Sequence, residues 1–161
     1  MRKKSIELLN KSMAEELTAL NQYMFFHFHC DDQDLSMLSA LFKKIAIEEM
    51  VHVENLADRI LFLKGDIIME PSSKVQSITD VKGMLKFAID SEDEAVRDYN
   101  LFANECSANA DSVSKTLFEN LVVDEERHYS LFDSEMEKLE KFGNQYLALQ
   151  SIEGSKNLGQ A

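Results

Sequence analysis

Apolar side chains recur at intervals of three and four residues through most of this 161-residue chain. Such spacing places the apolar residues on one face of an α-helix. The pattern predicts helices over about residues 5–29, 35–64, 78–107 and 114–141, and a short fifth helix over about 145–152. Residues 154–161 are predicted to form a loose, polar tail. We therefore expect one all-α domain spanning residues 1–161.

The connections between the predicted helices differ in length. Asp31–Asp34 and Asn109–Ser112 are short turns, which suit antiparallel neighbours, and the first can also cap the second helix. Gly65–Ser77 is longer and holds Pro71, the chain's single proline. Extended, it spans about 40 Å, close to the roughly 45 Å length of a thirty-residue helix. The third helix can therefore run parallel to the second, in a four-helix bundle of two antiparallel hairpins joined by a long crossover.

Six ionisable side chains lie within the apolar stripes of the four long helices. The second and fourth helices each carry a Glu-x-x-His pair, and residues three apart share one helix face. The first and third helices each carry a glutamate, placed 33 residues before the pair that follows (49 − 16 and 125 − 92). The six residues are Glu16, Glu49, His52, Glu92, Glu125 and His128.

The six positions repeat with an offset of 76 residues, since 92 − 16, 125 − 49 and 128 − 52 all give that number. The same offset matches Tyr23 with Tyr99 and Cys30 with Cys106. The chain thus reads as two copies of one helical hairpin, related by a pseudo-twofold axis with the six residues near its middle. The two cysteines are then expected near opposite ends of the bundle, too far apart for a disulfide.

Four carboxylates and two imidazoles in an apolar interior favour bound metal. Without metal, ionised carboxylates would repel one another, and their pKa values would rise. Two divalent ions balance the four negative charges, and mixed carboxylate and imidazole ligands suit iron or manganese, with zinc as a competitor. A glutamate from each of two helices and a Glu-x-x-His pair from each of the other two is the ligand pattern of di-metal helical bundles.

Composition excludes some classes of function. The formal charge of −12 argues against nucleic-acid binding and suits the attraction of cations. The sequence contains no apolar run long enough to span a membrane and no signal-peptide core near its start. It has two cysteines and no CxxC motif, which favours a reducing compartment. We therefore expect a cytoplasmic protein.

At these residues the chain resembles the ferritin superfamily, and the bacterioferritins most closely. The resemblance covers nearly the whole chain. It is carried by Leu9–Lys11, Glu16–Tyr23, Glu49–His52, Arg59–Gly65, Asp124–His128 and Tyr146–Leu147. The resemblance implies that two iron ions are bound by the six residues: one by Glu16 and His52, the other by Glu92 and His128, with Glu49 and Glu125 bridging both.

The activity that the resemblance implies is ferroxidase: Fe(II) is oxidised by dioxygen or hydrogen peroxide and stored as ferric mineral in a hollow homo-oligomeric shell, typically a 24-mer built from dimers. Tyr23 would lie close to the metals, or would serve only core packing. Met50 matches the methionine that binds haem b between two subunits. It follows Glu49 and so faces away from the metals, and with Ile47 and Val51 it forms a second apolar face. That face would also suit a dimer contact without haem.

The chain departs from the bacterioferritin pattern at one place. Lys44 stands where an inner-surface iron site has its histidine, although Glu48 can supply the acidic partner. Two other classes of function remain open from the residues alone: another di-metal enzyme, and a non-enzymatic helical interaction protein, which the six aligned ligands disfavour. A rubrerythrin-like di-iron peroxidase usually carries paired CxxC motifs, which this chain lacks. Another di-metal oxidase, without storage, would need a substrate pocket among the apolar stripes.

Overall fold

The computed structural model describes residues 2–159, which form five helices. Their bounds are α1 (Lys3–Asp32), α2 (Ser36–Phe62), α3 (Val81–Ala108), α4 (Ser112–Phe142) and α5 (Asn144–Gly159). The predicted all-α class is confirmed, and the four long helices start and end within a few residues of their predicted bounds. None of the helices in this described part of the chain is both long and apolar enough to cross a membrane.

Two separate clusters of buried apolar side chains fill the two ends of the bundle. One cluster takes the start of α1, the end of α2, the end of α3 and the start of α4. The other takes the opposite halves of the same helices. Consequently α1 runs antiparallel to α2 and α3, and α2 runs parallel to α3, as predicted. Cys30 lies in one cluster and Cys106 in the other, and both are free thiols.

The connection from α2 to α3, residues 63–80, runs along the whole length of α1. Polar side chains of α1, and of Gln33 directly after it, form hydrogen bonds with the backbone of this connection in sequential order. The pairs are Asn10 with Ile68 at 3.0 Å, Thr18 with Ser72 at 2.8 Å, Gln22 with Gln76 at 2.7 Å and Gln33 with Thr79 at 3.0 Å. The connection therefore carries the chain back to the far end of the bundle, where α3 can start parallel to α2.

The N-terminus of α4 is capped by Asp111, the residue directly before it. Asp111 precedes α4, and its Oδ1 accepts a hydrogen bond from the amide of Ser114 at 3.2 Å. The same oxygen pairs with the guanidinium of Arg59 in α2. Both charged side chains are nearly buried. This pair ties the start of α4 to the last turn of α2.

The N-terminus of α2 is capped by a residue of α5, so the prediction that Asp31–Asp34 caps it is wrong. The first two of these residues still belong to α1, and Asp34 takes a left-handed conformation (φ 59°) that turns the chain. The residue before α2 is Leu35, which offers no side-chain acceptor. Instead the buried Gln150 of α5 accepts a hydrogen bond from the amide of Leu38 at 3.1 Å.

The fifth helix is longer than predicted, and the loose tail expected from residue 154 is wrong for residues 154–159. Gly154 allows the close approach of α5 to α2, because a Cβ there would lie 2.4 Å from Ser36 Oγ. Ser36 donates to the carbonyl of Gln150 at 3.2 Å, and Tyr146 donates to Glu135 of α4 at 2.6 Å. These tertiary contacts outweigh the poor helix propensity of glycine. Residues 160 and 161 lie outside the described residues.

Candidate metal centre

The six predicted residues meet in a polar layer between the two apolar clusters. In each long helix the apolar residues on either side of the layer belong to different clusters, so every helix passes from one cluster to the other at this level. Glu16 and Glu92 come from α1 and α3, and the two Glu-x-x-His pairs come from α2 and α4. All six side chains are buried. The helical periodicity that placed them within the stripes therefore also brings them together.

The six residues divide into two groups of four that share two members. One group is Glu16, Glu49, His52 and Glu125, and the other is Glu49, Glu92, Glu125 and His128. Within each group the candidate ligand atoms all lie within 4.8 Å of one another. The imidazoles of His52 and His128 stack with their ring centres 5.8 Å apart. Two adjacent metal sites bridged by the shared glutamates fit this geometry.

The shared glutamates are poorly satisfied by the protein itself. Imidazole Nδ1 atoms approach their carboxylate oxygens: His52 lies 2.9 Å from Glu49 and 3.2 Å from Glu125. Distance alone would allow hydrogen bonds, but the angles do not. Among the described residues, both oxygens of Glu49 and Oε1 of Glu125 have no hydrogen-bond partner. Buried oxygens without partners destabilise a fold, and bound cations would satisfy them.

The pKa values of the carboxyl groups at this centre are shifted in different directions. Burial raises the pKa of Glu49 well above its usual value, and repulsion from Glu16 and Glu92 raises it further. Burial and the carboxylates of Glu49 and Glu16 raise the pKa of Glu125 in the same way. Burial alone would raise the pKa of Glu16, but its close contacts with His52 and Glu49 lower it to about 2. The metal-free centre therefore favours the protonated form of the two shared glutamates.

The histidines also hold protons in the metal-free centre. Burial opposes the charged imidazolium of His52, but its contacts with Glu125, Glu16 and Glu49 outweigh burial and raise its pKa. Burial likewise opposes charging of His128, and contacts with Glu125, Glu49 and Glu92 raise its pKa. A metal ion that binds this centre must displace these protons, because ligation requires neutral imidazole and ionised carboxylate.

Two tyrosines hold the outer glutamates across the bundle. The hydroxyl of Tyr23 in α1 donates to Glu92 Oε1 of α3 at 2.6 Å, and that of Tyr99 in α3 donates to Glu16 Oε1 of α1. Tyr23 was expected near the centre. Tyr99 was not singled out as a site residue, although the 76-residue offset pairs it with Tyr23 (99 − 23). The repeat was thus the signal that identifies it.

Two further carboxylates contact the histidines from outside the group of six. His52 Nε2 lies 3.0 Å from Asp124 Oδ2, and His128 Nε2 lies 2.6 Å from Glu48 Oε2. Arg127 Nη2 lies 2.7 Å from the same Glu48 oxygen. Glu48 thus binds His128 and Arg127, while Lys44 is exposed on the preceding turn. Asp124 was not predicted, although the offset from Glu48 is again 76 (124 − 48).

A small cavity of about 90 Å³ reaches the six residues from between α1 and α3. Its inner wall includes Glu16, Tyr23, Glu49 and Tyr99, and its outer wall includes the exposed Glu15. The volume holds only a few water-sized molecules. Small ions and dioxygen fit it, whereas an organic substrate of ordinary size does not.

Met50 lies on the opposite side of α2 from the centre. Its side chain is 43% exposed, and Ile47 and Val51 beside it are exposed to a similar degree. The predicted second apolar face of α2 is therefore present at the surface of the single chain.

A four-helix bundle with a long crossover and a buried set of four glutamates and two histidines defines the class of ferritin-like di-metal proteins. Comparison with known proteins gives the same class. The family model of the ferritin-like domain matches residues 6–142.

Named relatives narrow the class. The bacterioferritin of Desulfovibrio desulfuricans is 37% identical over 145 residues, covering 90% of this chain and 81% of the relative. The bacterioferritin of Rhodobacter capsulatus is 31% identical over 147 residues, covering 91% of each chain. The X-ray structure of the Desulfovibrio desulfuricans bacterioferritin, described by its di-iron site in different catalytic states, superposes with a TM-score of 0.91 at 35% identity. That alignment covers 93% of this chain and 88% of the other. The chain therefore belongs to the bacterioferritins, within the ferritin-like family.

Proposed function

We propose that this chain binds two iron ions at the six-residue centre, oxidises Fe(II) and stores the product as ferric mineral. One observation carries the proposal. Two groups of four ligands share Glu49 and Glu125, and three oxygens of these two buried side chains have no hydrogen-bond partner among the described residues. Four carboxylates, two neutral imidazoles and two divalent ions form a neutral set, which removes the electrostatic cost of burial.

Each residue has a distinct role in this proposal. Glu16 and His52 hold one ion, and Glu92 and His128 hold the other. Glu49 and Glu125, which belong to both groups, would be ligands of both ions. Tyr23 and Tyr99 donate hydrogen bonds to the two outer glutamates, so the outer carboxylates are oriented before metal arrives.

When bound, the iron pair supplies the redox chemistry, passing electrons from Fe(II) to dioxygen or hydrogen peroxide. The protein supplies the surroundings. The two apolar clusters exclude water above and below the centre, and the cavity between α1 and α3 admits small reactants only. The exposed carboxylate of Glu15 at the cavity wall attracts cations, in keeping with the −12 charge of the chain.

Storage requires an assembly, which we propose to be a 24-subunit shell built from dimers. The dimer contact would use the exposed apolar face of Ile47, Met50 and Val51, since such faces mark protein contacts. Haem b would bind there between two copies of Met50. The two cysteines of the chain are buried free thiols, which suits a cytoplasmic location for this activity.

The ferroxidase activity is tested by adding Fe(II) aerobically and following ferric absorbance. Glu49→Ala removes a ligand common to both metals, so the fast initial rate should fall by about 100-fold or more. Glu54→Ala removes an exposed carboxylate of the same helix and should leave the rate unchanged. An unchanged rate in Glu49→Ala would contradict the di-iron assignment.

Storage is tested separately by native sizing before and after iron loading. A particle of several hundred kilodaltons that gains density without gaining diameter would support storage inside a shell. Fast oxidation by a dimer, without mineral, would instead favour a rubrerythrin-like peroxidase or another di-metal oxidase.

The haem proposal has its own test. Protein purified from iron-replete cells should show a Soret band that Met50→Leu removes. Met37→Leu is the matched control, because Met37 is another exposed methionine of α2. Haem-free wild-type protein would contradict the role of Met50 and leave the di-iron proposal intact.

A further inference from the structure

The connection between α2 and α3 passes along the wall of the cavity that reaches the metal centre. Ser72 of this connection lies against α1, where its amide donates to Thr18 Oγ1 at 2.8 Å and to the carbonyl of Ala14 at 3.1 Å. The amide of Ser73 donates to the same Thr18 oxygen at 3.2 Å. Thr18 itself lines the cavity. The middle of the connection is therefore fastened to α1 at the cavity wall.

The hydroxyl of Ser72 contacts a charged residue at this place. It lies 2.9 Å from Thr18 Oγ1 and donates to Glu15 Oε2 at 3.0 Å. A carboxylate can only accept hydrogen bonds, so the serine must be the donor. Glu15 is exposed and lines the cavity. An exposed glutamate ordinarily samples several rotamers, and the bond from Ser72 restrains this one beside the opening.

The same cavity is lined at its inner end by the two shared glutamates of the centre, Glu49 and Glu125. Both oxygens of Glu49 lack a hydrogen-bond partner among the described residues. A cation that enters past Glu15 therefore meets buried carboxylate oxygens that are free to bind it. The cavity thus joins an exposed carboxylate to an unsatisfied buried one.

The acidic side chains nearest the solvent in this cavity come from both of its helices. They are Glu15 of α1 and Glu94 and Asp98 of α3. Lys11 Nζ lies 3.6 Å from Asp98 Oδ2, so the charge of Asp98 is partly offset. Glu15 and Glu94 then contribute most of the negative charge at the opening, one from each helix. The connection contacts the first of these two.

We propose that Ser72 is a positioning residue that holds the carboxylate of Glu15 at the cavity opening, where Glu15 captures divalent cations on their way to the centre. The inference rests on the proposed di-iron function and assigns a part in it to the connection. A negative charge fixed at a narrow opening raises the local concentration of cations and their rate of entry. The same charge on a freely rotating side chain is spread over a larger volume. Loss of Ser72 should therefore slow metal uptake without changing the number of metals bound.

The test measures the rate of Co(II) uptake by metal-free, assembled protein, using anaerobic stopped-flow mixing and the visible Co(II) bands. The wild-type protein should bind two Co(II) per subunit. Ser72→Ala should lower the second-order rate about threefold at low ionic strength, and Glu15→Gln at least as much. Both variants should still bind two Co(II). Ser73→Ala is the matched control, because Ser73 contacts Thr18 through its amide, and it should change neither measurement.

Three further comparisons separate positioning from a purely structural role. Ser72→Thr keeps the hydroxyl and should recover the wild-type rate. If Ser72 acts through Glu15, adding Ser72→Ala to Glu15→Gln should lower the rate no further. At an ionic strength of about 1 M, where charges are screened beyond roughly 3 Å, the wild type and Ser72→Ala should take up Co(II) equally fast.

The proposal is overturned if Ser72→Ala or Glu15→Gln takes up Co(II) at the wild-type rate. It is also overturned if the losses in the double variant add in full, since Ser72 would then only fasten the connection to α1. Should Ser72→Ala fail to assemble, Ser72→Cys keeps a side chain of similar size with a weaker donor and gives the same test. Failure of the di-iron proposal looks different, because the wild-type protein would then bind no Co(II) that Glu49→Ala removes.

Discussion

The hairpin of α1 and α2 and the hairpin of α3 and α4 present equivalent side chains to the metal centre. Tyr23 and Tyr99 occupy equivalent places, as do Glu48 and Asp124. On the outer surface the equivalence is only partial, although the exposed Ile47 of α2 still matches the exposed Val123 of α4. Met50 and Val51 of α2 correspond to charged residues at positions 126 and 127 of α4.

The difference between the interior and the surface shows that the two copies of the hairpin are constrained differently at these two places. The residues that face the centre form two equivalent groups of ligands, one for each metal site. Both hairpins therefore carry the same types of side chain there. Positions that face outwards meet different surroundings. The apolar face of α2 suits a contact with another subunit, whereas Glu126 and Arg127 of α4 are exposed and polar. The pseudo-twofold relation is therefore closer in the interior than on the surface.

The largest expected effect tests whether the hairpins are equivalent as ligand donors. Glu16→Ala and Glu92→Ala each remove an outer ligand of one group only. Each variant should keep one Co(II) equivalent and bind the second about 100-fold more weakly or not at all. Calorimetric titration under anaerobic conditions measures this, with Glu7→Ala, which removes an exposed carboxylate of α1 outside the cavity wall, as the control that should have no effect. If one variant loses both equivalents, the two halves are not equivalent.

The next effect concerns the different caps of α2 and α4. Asp111→Ala breaks a nearly buried ion pair and a helix cap, and should lower stability by about 3 kcal/mol. Gln150→Ala removes one hydrogen bond to α2 and should cost about 1 kcal/mol. Thermal unfolding of metal-free protein at one protein concentration compares them, and Gln145→Ala is the exposed control. Equal losses would show that the caps are equivalent after all.

The Asp111 contribution also has a defined pH dependence. Burial alone would raise the pKa of Asp111, but its hydrogen bonds, among them those with Ser114 and Arg59, lower it to about 2. A carboxyl with a lowered pKa stabilises the fold above its usual value of 3.8 and loses that contribution as the pH falls towards 2. The difference between the wild type and Asp111→Ala should therefore disappear in acid.

A third effect belongs to both hairpins equally, because it comes from the shared Glu49 and Glu125. Their raised pKa values keep protons in the metal-free centre that a metal must displace. Metal affinity should rise by about tenfold per pH unit for each proton displaced. Metal-free protein should lose stability as the pH rises above 4.5, the usual value for glutamate, and bound metal should restore it. Calorimetry in two buffers of different ionisation enthalpy counts the protons; affinity without proton release would contradict the assignment.

The smallest effect compares the two tyrosines. Tyr23→Phe and Tyr99→Phe each remove one hydroxyl donor to an outer glutamate. If both act only through that hydrogen bond, each should weaken one metal equivalent by about tenfold, and both should slow Fe(II) oxidation to the same extent. Stopped-flow oxidation kinetics beside the metal titration decide this. A slower oxidation in Tyr23→Phe alone, at equal affinity, would assign Tyr23 a separate part in the reaction.

The fold was predictable because each long helix carries its own apolar stripe and because the connection of residues 63–80 is long enough to reach the far end. The six centre residues were predictable for a related reason, since helical spacing alone puts them on the buried stripes. Gln150 as the cap of α2 was not predictable, because it lies in a different helix more than a hundred positions along the chain. The full length of α5 depends on the contact of Gly154 with Ser36, which sequence periodicity does not contain.

The contacts of Tyr99 and Asp124 with the centre were predictable only in part. Tyr99 and Asp124 each match an already noted residue at the offset of 76, so the repeat held the information. What the repeat could not give is the direction of each side chain across the bundle. A carboxylate in α4 touches the histidine of α2, and this crossing follows from the packing of the two hairpins against each other.

The division of each ligand group between hairpins has a consequence for folding kinetics. Within a hairpin the helices pack through contacts close in sequence, which form early. Neither hairpin alone holds a complete group, since the first lacks Glu125 and the second lacks Glu49. The metal centre therefore forms only when the two hairpins dock, and this late step brings together four carboxyl groups that repel one another unless protons or metal ions neutralise them. Protons or metal ions that neutralise them should speed docking. The two hairpins should therefore dock faster at lower pH or with divalent metal present than in metal-free solution at higher pH.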